Sequence, residues 1–373
     1  MKLKIKKSEL SLATTRTQGA ISDRSLAHIG LNAVDDYLKV SVADRVLIIY
    51  SSLSANVEEQ GSIFVPARLF SDVVRELPEG LVSLISETNF LVIKAGDNNE
   101  FVMKLPRIEE KEWRDPPAIS EFCSAELPTE KIQYMIDQVQ LCVAQESPRN
   151  YGAVGFFHKP QSNTLRLVGT DGFRLSYSEV DVTLPDEFLG NGVCLSKRAL
   201  NELQRMCGEG YETLNIFISD DQTILMAFIP GYEIFVRLSS VKYPNYQGVL
   251  PNQDLTPVEV SRPYLQSVAK RVLLAADKTR ALQLCFSESS LTLSSRTLGS
   301  SEGTESIALK GYLGGERELA VNGKFLTDVF STIGSDEITI NFKSVNDPIV
   351  LIPKKEPEQC KSMHVLVPIR ETN

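Results

Sequence analysis

The chain has 373 residues, 42% hydrophobic and 23% charged, which is too long for one ordinary domain and too apolar for a disordered polymer. Its net charge of −9 excludes indiscriminate phosphate binding by the whole surface, so any nucleic-acid contact must come from a local concentration of Lys and Arg. No run of about 18 apolar residues and no signal-peptide core near Met1 is present, which predicts a cytoplasmic protein with no membrane partner.

In chain order, the first predicted element is a helix after Ser8, a candidate N-cap. Leu38 to Asp44 then alternates at period two, the pattern of a half-buried strand. Ile63 to Ile85 runs strand, short polar turn, helix, loop, strand, and its helix carries Phe70, Val73, Val74 and Leu77 at i, i+3, i+4 and i+7. That spacing is one buried helical stripe. The Pro-containing stretch Glu112 to Pro128 reads as a linker. A helix after Thr129 follows, with Ile132, Met135, Ile136 and Val139 on one face, and then an alternating strand, Leu165 to Asp171. Val193 to Ile218 repeats the strand, helix, strand order; its helix keeps Leu200, Leu203 and Cys207, with Gln204 at the remaining place. After a second linker, Leu250 to Pro257, come a helix capped at Ser261 and the segment Leu319 to Ile340, whose stripe is Leu326, Val329, Phe330 and Ile333.

These segments form a repeat. Val65, Leu195 and Val321 align 130 and 126 residues apart, and fifteen residues beyond each lies a loop residue, Gly80, Gly210 or Asp336. Three α+β domains are therefore expected, over residues 1–120, 127–250 and 257–373. The pattern alone also fits three unrelated domains that share a supersecondary unit.

Helical geometry, at about 100° per residue, turns the repeat into a surface. Arg68 and Arg75 lie far from the apolar stripe of the first copy, Arg198 and Arg205 occupy the same register in the second, and Lys324 takes the first place in the third, where Ser331 holds the second. Lys197 adds charge beside Arg198. One exposed Arg is ordinarily a solvated charge, but several in one register on an acidic protein would make a sequence-independent phosphate track.

Catalytic constellations are missing. His28, His158 and His364 have no metal-ligand spacing, the six cysteines form no C-x-x-C pair, and Gly323-Lys324 lacks the remainder of a phosphate loop. Glu58-Glu59 and Asp220-Asp221 are expected in loops, where paired carboxylates are more often solvated than metal-binding. No metal and no cofactor are expected, and an enzyme acting on nucleic acid, which would need such a constellation, ranks below a binding or adaptor protein.

Five motifs in order then carry a resemblance. They are Val65-Pro66-Ala67-Arg68-Leu69-Phe70 leading to Arg75-Glu76-Leu77-Pro78-Glu79-Gly80, Gly169-Thr170-Asp171-Gly172-Phe173-Arg174-Leu175, Tyr243-Pro244-Asn245-Tyr246 before Val249-Leu250-Pro251, Asn322-Gly323-Lys324-Phe325-Leu326-Thr327-Asp328-Val329, and Val367-Pro368-Ile369-Arg370. On these the chain resembles the beta subunit of bacterial DNA polymerase III, the sliding clamp, over nearly its full length. The resemblance implies a non-catalytic processivity factor: three similar clamp domains per chain in a head-to-tail homodimeric ring, helices inside and sheets outside, encircling double-stranded DNA. It implies partners that dock through short linear motifs, namely the replicative polymerase alpha subunit, the clamp loader, and other polymerases and repair proteins. By family position Arg24 and Arg149 join the DNA-facing set, and Leu105, Leu273 and Leu274 form the seam between protomers. The partner-peptide cleft would be lined by Thr170, Gly172, Phe173, Arg174, Leu175, Pro244, Val249, Phe325, Val367, Pro368, Ile369 and Arg370, with Arg174 or Arg370 fixing a polar end of the peptide. The chain departs from the family at Phe173, where His is usual, at Val367 and Ile369, where Met is usual, and in the extra Glu371-Thr372-Asn373.

Overall fold

The computed structural model describes residues 1–21, 27–96, 98, 100–109, 122–144, 154–161, 163–250, 256–309, 312–344 and 347–369. Among these are six α-helices: α1 (Lys7–Thr17), α2 (Ala67–Glu76), α3 (Thr129–Val139), α4 (Lys197–Cys207), α5 (Arg262–Val272) and α6 (Gly323–Thr332). Around them one order recurs three times: strand, helix, three strands, strand, helix, three strands, with an added short strand Asn56–Glu59 in the first copy. The class is α+β, as the repeat predicts.

The copies are not three separate contact units. One compact unit comprises residues 1–130, 185–188 and 198–239; the other comprises 131–184, 189–197 and 240–373. The middle copy is shared because its strands extend its neighbours' sheets. In the first unit Tyr232–Arg237 pairs antiparallel with Leu47–Ser54, completing an eight-stranded sheet. In the second, Arg174–Asp181 pairs antiparallel with Cys360–Leu366 and completes another. A five-stranded sheet in the first unit ends at Phe101–Pro106, and a four-stranded sheet in the second ends at Ser301–Ala308 and Arg317–Asn322.

The apolar stripes are buried as their spacing requires. Phe70, Val73, Val74 and Leu77 of the first copy, Leu200, Leu203 and Cys207 of the second, and Leu326, Val329, Phe330 and Ile333 of the third all lie in cores. Truncating Phe70 or Phe330 to Ala would cost about 3–5 kcal/mol.

Two sequence expectations are corrected. The linkers end in strands, Phe122–Pro128 and Thr256–Ser261, each at the edge of an eight-stranded sheet, where Pro128 and Pro257 interrupt no interior ladder. The helix caps also differ. Helix α1 begins at Lys7, before Ser8; Thr129 Oγ1 donates to the carbonyls of Tyr211 and Glu212; and Ser261 sits at the N-cap without a side-chain hydrogen bond. Instead Asn322 caps α6, its Oδ1 accepting from the backbone N–H of Lys324 at 3.0 Å and of Phe325 at 3.3 Å.

Candidate functional site

The outward helix faces carry the basic residues, and each described one has a partner. On α2, Arg68 and Arg75 are exposed and both reach Asp72, at 3.8 Å and 2.7 Å. On α4, Arg205 pairs with Glu202 at 3.1 Å, and Arg198 donates to Asp44 at 2.6 Å and to the Gly19 carbonyl at 2.7 Å. Burial raises the Asp44 carboxyl, but backbone N–H groups of Leu47 and Val46 and the Arg198 guanidinium outweigh it and hold the group below its usual range. Glu202 moves the other way: burial raises it against the pull of Arg205 and Arg198. On α6, exposed Lys324 pairs with Asp328.

Lys197 is turned away from the expected role. Its Nζ donates to the Val143 carbonyl at 2.9 Å, and burial, aided by the nearby Arg174 charge, lowers its pKa. Its place at the first turn of α4 fixes that direction; adjacency to Arg198 does not put both side chains on one face. Arg24, Arg149 and Arg370 lie outside the described residues.

A cavity of about 210 Å³ brings together much of the expected cleft: Thr170, Gly172, Arg174, Leu175, Pro244, Val249 and Val367, joined by Asn245, Tyr246 and Val365. The strand Thr164–Thr170 ends in a tight turn in which Asp171 Oδ1 accepts from the N–H groups of Phe173 and Arg174, both at 3.0 Å. Gly172 has φ +87°, a conformation that favours glycine, and nothing lies where its Cβ would be. Across the sheet Leu175 pairs with Val365, so the cavity wall is built from strands nearly two hundred residues apart in sequence. The chain end is tied down by Val367 N–H to the Phe173 carbonyl at 3.0 Å and Ile369 N–H to the Ala320 carbonyl at 2.7 Å. Pro368 is buried beside them.

Arg174 is a wall, not a free charge. Only 9% exposed, it donates to Asp171 and Asp328 at 3.0 Å and to the Leu141 carbonyl at 2.7 Å, and its guanidinium lies 4.3 Å from the Phe325 ring centre. These bonds use three of its five N–H donors, so any hold on a polar end of a peptide would fall to the two that remain. Phe173 is 65% exposed, with its ring 6.5 Å from that of Phe325, and extends the apolar surface past the cavity.

Tyr246 was missed from the cleft because its role depends on distant braces. Its hydroxyl meets His158 Nε2 at 2.9 Å and accepts from Arg166 Nη1 at 2.7 Å. Burial, with a smaller contribution from Arg166, lowers His158 to about 4, so the ring is neutral near pH 7. The only hint in the sequence was its place in the Tyr243-Pro244-Asn245-Tyr246 motif.

The expected seam residues separate by burial. Leu105 is 0% exposed and Leu273 is 9% exposed, whereas Leu274 is 86% exposed. Leu105 alternates inward on its strand and Leu273 packs against Gly323, so of these three only Leu274 presents its side chain outward.

No group of three or more potential metal ligands occurs among the described residues, and no described helix is long and apolar enough to cross a membrane. Cys142, Cys194, Cys207 and Cys360 are buried thiols, and His364 is fully buried with its Nδ1 2.7 Å from Ser176 Oγ.

Family models of the DNA polymerase III beta subunit match the chain in three consecutive pieces: the N-terminal domain over residues 1–113, the central domain over 126–245 and the C-terminal domain over 247–370. A beta sliding clamp of Halalkalibacterium halodurans is 26% identical, covering 85% of this chain and 82% of its own. In fold, the chain is similar to the DNA polymerase III beta subunit of Thermotoga maritima, with a TM-score of 0.90, 22% identity and full coverage of both chains. It is equally similar to a sliding clamp of Bartonella birtlesii solved bound to griselimycin, with a TM-score of 0.90, 23% identity and full coverage of both chains.

Proposed function

Because the chain belongs to the DNA polymerase III beta-subunit family, the non-catalytic sliding clamps of that polymerase, we propose that two copies close head to tail into a ring around duplex DNA. The three domains of each copy follow one another over about residues 1–120, 127–250 and 257–373. A heterologous contact that closes yields a finite ring, and a ring threaded on DNA is retained by topology. The observation that carries this reading is the recurrence of a cation at one register, Arg68, Arg198 and Lys324, on α2, α4 and α6 of an acidic chain. Arg68, Arg75, Arg198, Arg205 and Lys324 face the duplex. Leu274 supplies the exposed apolar contact between copies.

Partners dock in the cavity beside Phe173. At about 210 Å³ it is smaller than the roughly 300–1,000 Å³ of drug-sized ligand sites and suits apolar side-chain anchors of an extended peptide. Each such anchor, fully buried, contributes about 1.5–3 kcal/mol. That a relative on this fold was solved with griselimycin bound supports a ligand site here. The polymerase alpha subunit, clamp loader, and other polymerases and repair proteins are the expected users, through short linear motifs. The test is to load the protein on nicked circular DNA, raise the salt, and then cut the circle. Retention on the circle with release on cutting supports the ring; equal retention on linear and circular DNA contradicts it.

A further inference from the structure

The repeat that sets the outward cations also sets a carboxylate between them. Asp72, Glu202 and Asp328 lie 130 and 126 residues apart, the same intervals that separate Arg68, Arg198 and Lys324. Each is four residues after the first cation and three before the second place, so all share one helical face. The position just before each carboxylate carries no charge in any copy: Ser71, Asn201 and Thr327 correspond. The carboxylates are engaged in every copy. Asp72 takes both Arg68 and Arg75, Glu202 takes Arg205 from an almost fully buried position, and Asp328 takes Lys324 while also accepting from Arg174 at 3.0 Å. Arg198, which does not use Glu202 in this way, is paired with Asp44.

We propose that Asp72, Glu202 and Asp328 are positioning residues that damp the pull of the outward cations on phosphate. The proposal rests on these faces meeting DNA. A free cation that contacts a phosphate releases a condensed counterion, and each such contact steepens the salt dependence by about 0.9. A cation already paired with a carboxylate must share or break that pair first, so its contact gains less. Three internally neutralised faces then allow the duplex to pass without being gripped, and retention falls to ring closure.

Asp72 is the place to test this, because it is exposed and, among the described residues, pairs only with Arg68 and Arg75. Glu202 is itself buried, and Asp328 also holds the buried Arg174. The full chain, without any loading factor, is titrated onto a short linear duplex by fluorescence anisotropy across a salt series, so that topological linkage cannot contribute. Asp72→Asn is expected to bind roughly two- to five-fold tighter at low salt, the span of exposed ion-pair strengths, with a steeper salt slope. Asp72→Ser should act in the same direction, since loss of charge is the cause. Arg68→Ala with Arg75→Ala should weaken binding. Wild-type affinity in both Asp72 variants, alongside weakened binding by the double Arg variant, would overturn the damping role alone. Wild-type binding by the double Arg variant would instead overturn the placement of this face on DNA, and the damping role with it.

Discussion

The outward helix faces and the cleft around Arg174 use the same residue types to opposite ends. On α2 the cations are exposed, paired along the helix and held by contacts worth only tenths of a kcal/mol each. In the cleft Arg174 is buried, held by two carboxylates and a carbonyl, and stacked on Phe325. A surface of the first kind suits a partner that must move, and one of the second kind suits a partner that must stay in register. Shape and burial supply specificity where charge alone would not.

The largest expected effect breaks the cleft. Deleting Val367 to Asn373 removes one wall and the backbone ties to Phe173 and Ala320. A polymerase-tail peptide should lose affinity by about 100-fold or more, the worth of one or two buried anchors. Fluorescence anisotropy reads this directly, and unchanged peptide affinity would remove the chain end from the site.

Acid probes the rigid backing of the cleft next. His364 adjoins Val365 on the same strand; burial pushes its pKa down to about 3, and its Nε2 has no hydrogen-bond partner among the described residues. A histidine with a folded pKa below its unfolded value of about 6.5 favours folding while neutral, so stability is full above that pH. It declines as pH falls from about 6.5 towards 3, where the unfolded chain binds the extra proton. Near pH 4.5 this one group should cost about 2–3 kcal/mol, measured as a lower denaturant midpoint than at pH 7.5. A midpoint that held steady or rose between these conditions would contradict the neutral buried assignment.

The assembly contact should respond at Leu274. Leu274→Lys places a charge on an exposed apolar position and should shift sedimentation towards folded monomer. The single change is the informative one, because Leu273 is buried and its replacement by Lys would damage the core. A fully dimeric Leu274→Lys at low micromolar concentration would place the seam elsewhere.

The smallest effect sharpens the charged side of the comparison. Arg68→Ala with Arg75→Ala should weaken linear-duplex binding by a few-fold and flatten the salt slope by at most about 1.8. Charge reversal at Arg198 and Arg205 is less clean, since buried Glu202 would lose its compensating neighbour. The α2 pair leaves the fold alone.

Much of this was legible in the sequence because helical period reports burial directly. Phe70, Val73, Val74 and Leu77 fall on one stripe, and Arg68 and Arg75 fall opposite it, in the structure as in the spacing. Other directions have a different cause. Lys197, Leu105 and Leu273 were placed by adjacency or family position, whereas their directions depend on Val143, strand alternation and Gly323. Val365 and Tyr246 entered the cleft only through the Leu175 to Val365 pairing and the His158 and Arg166 braces, which no local pattern encodes. The carboxylates were visible in principle, as a cation followed at i+4 by an acid in all three copies, with a second cation at i+7 in the first two.

The most direct test of retention by topology over weakly charged faces is the salt dependence of residence time on two DNA forms. Release from closed circles and from linear duplex of the same sequence is followed between about 50 and 200 mM salt, the range over which phosphate-driven binding loses orders of magnitude. The expected result is a lifetime on circles that barely changes while the linear lifetime stays short and salt-sensitive. Parallel salt slopes for the two forms would show that charge, and not ring closure, holds the protein on DNA.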